Sequence, residues 1–150
     1  MQRGQESLDA VVTTILAALA ANDKQAMLAA LVSTEEYRDY VIPSSVEPGQ
    51  AWRVWKEKAR QFFADEYRTK NDIVVERLLE TYGGKSLQLA SWRMTSEAKR
   101  YAGYIAHGEL RITLKMEPAP ELQAPDVLRL GYVAEVAGKF KLLSFVADKD

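Results

Sequence analysis

In the stretch VVERLLETYGGKSLQLASW, residues 74–92, the spacing of the apolar side chains changes halfway along. Before the glycine pair, Val74, Leu78 and Tyr82 recur at helical intervals. After it, Leu87, Leu89 and Ser91 alternate with Gln88, Ala90 and Trp92. A period near 3.6 marks one face of a helix, and a period of 2 marks the two faces of a strand. Gly83-Gly84 is the boundary, because a glycine just past the last turn takes the positive φ that closes a helix. The sequence therefore predicts an α+β domain, with helices before this point and an antiparallel sheet after it.

Working toward the N-terminus, the helical signal recurs with its own punctuation. Leu8, Val11, Val12, Ile15, Leu16 and Leu19 form one apolar stripe, with Ser7 placed to cap it. Asn22 suits a left-handed stop, and Asp23 can cap a second short helix carrying Met27, Leu28 and Leu31. Ser33-Thr34-Glu35-Glu36 has the capping-box pattern, and Tyr37, Tyr40 and Val41 continue at helical spacing. Pro43 to Gly49 reads as a loop. From Trp52 to Tyr82 the spacing stays near-helical, but the stripe loses its apolar character between Arg68 and Asp72, so a bend or break is expected there.

Toward the C-terminus the period stays at 2. Leu110, Ile112, Leu114 and Met116 face one way, and Glu109, Arg111, Thr113 and Lys115 the other. Glu117–Pro125 holds three prolines and cannot be a central strand. Leu128, Leu130, Tyr132, Ala134 and Val136 alternate with Arg129 and Glu135, and Ala137-Gly138 turns the chain into Lys139–Ala147. This last segment is apolar on both faces, with Phe140, Leu142 and Val146 on one and Leu143 and Phe145 on the other. It is expected either inside the sheet or with one face against a partner.

Composition sets the outer limits. A chain of 150 residues, 47% hydrophobic and 27% charged, is expected to form one globular domain. Twenty basic and twenty-one acidic residues leave a net charge of -1, which gives no long-range attraction to nucleic acid or anionic lipid. The Lys56-Glu57-Lys58 and Lys99-Arg100 clusters are too short to change this. Without cysteine there are no disulfides and no thiolate chemistry; the compartment stays open, cytoplasmic or exported. The apolar run Ala10–Ala21 lacks the flanks of a signal segment, and no transmembrane stretch of ~20 residues is present.

Helices followed by an antiparallel meander resemble the nuclear-transport-factor-2-like (NTF2-like, or cystatin-like α+β) superfamily. The residues that carry the likeness are the Leu8–Leu19 helix, the acid-capped helices with Tyr37 and Tyr40, and the closing hairpin ending Leu143-Ser144-Phe145-Val146. The resemblance implies a curved sheet wrapped around helices as a cone whose open end is a pocket. It also implies one of three roles: ligand-binding module, protein adaptor, or small-molecule isomerase or dehydratase. The long Trp52–Tyr82 stretch departs from the family, where many members place a short hairpin.

Candidate residues follow from this frame. An apolar ligand pocket would draw on the aromatic set Tyr37, Tyr40, Trp52, Trp55, Trp92, Tyr104 and Tyr132, whose phenols and indoles could orient a small apolar ligand. Such a stripe is also ordinary core packing. An acid–base role would fall to Asp39, if burial raised its pKa, or to His107 at the pocket lip. Counting in twos from Leu110 puts His107 on the outer face with Glu109 and Arg111, unless a bulge at Gly108 reverses it. With one histidine and no acidic cluster, neither a metal site nor a cofactor is expected. Phe140, Leu142 and Val146 are the expected contact face of a homodimer. A non-enzymatic binding module is favoured over an enzyme, because no catalytic motif is present.

Overall fold

The computed structural model describes residues 4–45, 57–115 and 127–145. Helix α1 (Leu8–Ala20) starts where Ser7 Oγ accepts the Ala10 N–H at 3.1 Å. It stops at Asn22, whose φ of 51° turns the chain into α2 (Lys24–Ala29), itself capped by Asp23. At Ser33 both halves of the capping box form, opening α3 (Thr34–Glu36). The helix then widens into a π-helical segment (Tyr37–Val41) before closing as α4 (Ile42–Ser44). Pro43 explains the widening: it has no N–H to bond the Asp39 carbonyl four residues back, and its ring would clash with that carbonyl in a regular helix.

Helix α5 (Glu57–Tyr82) runs unbroken for 26 residues, so the break expected between Arg68 and Asp72 does not occur. The stripe loses its apolar character there because a polar residue points inward. Asn71 is buried, donating from Nδ2 to Tyr67 O and accepting the Phe145 N–H on Oδ1, both at 2.8 Å. The helix ends at Tyr82, and Gly84, at φ 75°, donates its N–H to Leu19 O at the end of α1.

All pairings between the strands named here are antiparallel. The order is β1 (Gln88–Met94), β3 (Ile105–Lys115), β4 (Val127–Val136), β5 (Lys139–Leu142), with β2 (Lys99–Arg100) beside the start of β3. The sheet curls into a half-barrel against the helices. Its concave side is packed rather than hollow: Val11, Ile15, Leu19, Val75, Leu110, Ile112, Leu128 and Leu130 interlock in one core.

Two irregularities in the β3–β4 ladder set which side chains face that core. Glu109 pairs with Tyr132 and Arg111 with Arg129, so β4 carries an extra residue beside Gly131; His107 pairs with Val133, so β3 carries one at Gly108. Each reverses the alternation. Beyond Gly131, Val133 turns inward and Tyr132 is 48% exposed, the opposite of simple counting. Beyond Gly108, His107 shares the face of Val133 and Leu142 rather than that of Glu109 and Arg111.

Strand β5 ends at Leu142, five residues short of the expected Ala147, and residues 146–150, including Val146, lie outside the described residues. Its far edge is closed. Gln5 exchanges backbone hydrogen bonds with Phe140, while Leu142 donates to Ala30 O and accepts from Val32 N. The apolar surplus of this segment is used inside the fold: Leu142 and Phe145 enter the main core, and Leu143 packs in a smaller cluster around Val32, Val41, Tyr104 and Ala134.

Candidate functional site

That smaller cluster borders a cleft of ≈ 590 Å³ between the Leu28–Val41 segment and strands β4–β5. Leu31, Val32, Val41, Ala134 and Val136 form apolar walls, with Tyr40 and Tyr104 at one side. A second, smaller hollow of ≈ 380 Å³ lies against α5 and shares Val41 and Tyr104 with it.

Into the first cleft the sheet places Lys141. It pairs with Ala134 on the face opposite Leu142, and only 5% of it is exposed. Its Nζ lies 2.7 Å from Glu36 Oε1, which also accepts the Ser33 N–H at 3.1 Å. Burial pushes the Glu36 carboxyl upward, but the Lys141 ammonium and the Ser33 N–H outweigh it and hold the group below its ordinary value. Its second oxygen, Oε2, is enclosed and has no hydrogen-bond partner among the described residues. An ionised pair therefore sits on the floor of a mainly apolar cleft.

The tyrosines around it are neutral phenols in fixed positions. Tyr37 stacks on Tyr67 with ring centroids 4.0 Å apart, and Tyr67 donates to Val32 O at 2.7 Å. Burial pushes the hydroxyl pKa of Tyr37, Tyr67 and Tyr104 upward. Tyr104 stacks on Tyr101 and shares a hydrogen bond of 2.5 Å with Ser45 Oγ, while Tyr40 donates its hydroxyl to Gly103 O.

The structure separates the residues singled out from the sequence. Tyr40 and Tyr104 line the main cleft, and Tyr37 lines the neighbouring hollow. Trp92 does not join them: it packs against the main core, and its indole N–H donates to Asp9 Oδ1 at 2.7 Å. Tyr132 faces solvent, while Trp52 and Trp55 lie outside the described residues. Asp39 is exposed and bound by Arg38 at 2.8 Å; that bond holds its carboxyl below the ordinary value, the reverse of what a proton-abstracting base needs. His107 lies away from both hollows, with Nε2 2.9 Å from Glu135 Oε1 and its ring beside Phe140. Of the contact face expected of β5, Leu142 is fully buried, Phe140 packs against the core while partly exposed, and Val146 lies outside the described residues.

Lys141 and Glu36 were the residues that periodicity passed over. Lys141 alternates with Phe140 and Leu142, as a solvent-facing residue would, and Glu36 is accounted for by its cap. The available signal was the strand itself: where both faces are apolar, a lysine between them must be buried with a partner. Among the described residues no group of three His, Asp or Glu side chains could hold a metal ion, and no helix is long and apolar enough to cross a membrane. No protein-family model, curated protein or solved structure matches this chain.

Proposed function

We propose that this domain is a non-enzymatic binding module of the NTF2-like kind, holding a small ligand with an apolar body in the cleft between the Leu28–Val41 segment and strands β4–β5. The buried Lys141–Glu36 pair carries this proposal. Replacing a buried ion pair with apolar residues of similar size is often neutral or stabilising by about 1–4 kcal/mol. A pair kept in an open, apolar-walled cleft therefore has its best use in recognition, where a few polar groups orient a ligand. Isomerase or dehydratase chemistry draws no support from Asp39 or His107, which line neither hollow.

The test is displacement by a plug. Ala29 lines the cleft from an exposed position, so Ala29→Trp fills the opening without disturbing the core. A neutral solvatochromic dye should bind the wild type and lose at least tenfold in affinity to Ala29→Trp, but not to Tyr132→Ala on the outer face. Equal binding by all three proteins would reject the cleft as the site.

A further inference from the structure

Away from the cleft, the outer face of the sheet carries three arginines in one row. The register places Arg93 on β1 opposite Arg111 on β3, and Arg111 opposite Arg129 on β4. Directly opposed residues share a face, and like charges in that position destabilise a sheet. Glu109 compensates the row at one end, where its two oxygens occupy the fork of Arg129 at 2.8 and 3.2 Å. Arg111 approaches one of those oxygens only at 3.5 Å. Arg93 is exposed and meets no carboxylate among the described residues. Lys115, on the same face of β3, adds a fourth cation. Repulsion within the row opposes folding, so recognition is the use that accounts for it.

We propose that this face docks an acidic segment of a partner protein, its carboxylates taking the forks of Arg93 and Arg111 as Glu109 takes that of Arg129. A planar guanidinium matches the two oxygens of a carboxylate, and adjacent strands hold successive arginines about 4.8 Å apart, within reach of neighbouring acidic side chains. Apolar surface flanks the row on β4. Val127, opposite Thr113, is 43% exposed, and Tyr132, opposite Glu109, is 48% exposed. Arginine and tyrosine grouped on one patch are the residue types that dominate protein–protein interfaces. Strand β1 ends the sheet on this side, so Arg93 can be approached from the edge as well as from the face. A nucleic acid would bring the same sign of charge. However, a chain of net charge -1 has no long-range attraction for it, and Tyr132 is the one exposed ring that this face offers for base stacking among the described residues.

A short glutamate–serine repeat peptide, its glutamine–serine counterpart and an oligothymidylate of equal charge separate the possibilities in amide chemical-shift titrations. The glutamate peptide should shift the amides of Arg93, Arg111 and Val127 and bind roughly tenfold more tightly than the glutamine peptide, with an advantage that shrinks as salt is added. The double variant Arg93→Gln/Arg111→Gln should lose that advantage. Its urea midpoint should match or exceed the wild-type value, because it removes opposed like charges. Equal binding of the two peptides, or an unchanged preference in the double variant, would overturn the carboxylate reading. Tighter binding of the oligothymidylate at the same amides would make the partner a nucleic acid instead. If no probe shifts these amides at millimolar concentration, the face is not a docking surface. Dye binding in the cleft should be the same in wild type and double variant, so failure here is distinguishable from failure of the cleft.

Discussion

Asn71 offers the sharpest quantitative test of how the helices are fastened to the end of the sheet. Its side chain accepts the Phe145 N–H, with no other acceptor among the described residues, and donates a second bond to Tyr67 O within its own helix. In Asn71→Ala the Phe145 N–H stays buried with nothing to accept it, at a cost of about 1–3 kcal/mol. Alanine recovers up to about 0.7 kcal/mol through better helix propensity. The net loss is then about 1–2 kcal/mol, which for a chain of this length lowers the thermal midpoint by roughly 2–8 °C. Urea unfolding followed by circular dichroism measures it, with an unchanged slope as the sign that the native fold persists. Asn71→Leu restores the volume but not the acceptor, so it should lose a similar amount if the hydrogen bond dominates, and much less if the cavity does. Hydrogen exchange gives the local readout, because the Phe145 amide should lose protection selectively. Wild-type stability in Asn71→Ala together with a still-protected Phe145 amide would refute the assignment.

Other perturbations probe the remaining joints. A Cβ on Gly131 would stand 1.8 Å from the Ser144 carbonyl oxygen, whereas one on Gly138 meets open space at a φ of 77°. Gly138→Ala should therefore cost only the dihedral strain of about 1–2 kcal/mol, while Gly131→Ala should shift the thermal midpoint several times further by displacing residues 143–145. Glu36 and Glu109 have carboxyls held low, Glu109 chiefly by Arg129 and Glu36 by Lys141 and Ser33 against burial. A depressed folded-state value contributes stability above the unfolded value and loses it as pH falls, so stability should decline below about pH 4.3. Glu109→Gln should flatten that limb in urea midpoints measured from pH 3 to 7. Asp39→Ala, which removes an exposed partner of Arg38, should leave both the urea midpoint and dye binding unchanged. The double variant Glu36→Gln/Lys141→Met should match or exceed wild-type stability in the same melts.

Local rules carried most of the architecture into view, because their partners lie within a few residues of one another. Ser7, Asp23 and the Ser33–Glu36 box bond across three positions, and the Ala137-Gly138 turn follows from two consecutive positive φ angles at 50° and 77°. The period change at Gly83-Gly84 placed the helix–sheet boundary for the same reason. What stayed hidden depends on distant neighbours. The orientations of His107 and Tyr132 follow from two irregularities in one ladder, and only the Gly108 one leaves a trace that counting in twos can anticipate. The partner that lets Asn71 turn inward is Phe145, 74 positions away. The Lys141–Glu36 pair spans 105 positions, and neither residue stands out within its own segment.

The apolar excess of the last strand was a sequence feature that pointed beyond the fold, and the structure moves its significance to another residue. A strand with apolar residues on both faces needs two covers, and β5 has them: the main core on the side of Leu142, the Val32–Tyr104 cluster on the other, and Gln5 with residues 30–32 along its edge. Among the described residues of this strand, Leu142 is spent in the core and Phe140 keeps only part of its surface exposed. Lys141 is the member that packing does not explain. A methionine would fill its place without a counter-ion, and the capping role of Glu36 needs one acceptor oxygen, which a glutamine supplies. Stability thus accounts for neither the ammonium nor the second carboxylate oxygen. Lys141 and Glu36 both line the same cleft, so recognition there is the reading that gives the pair a use.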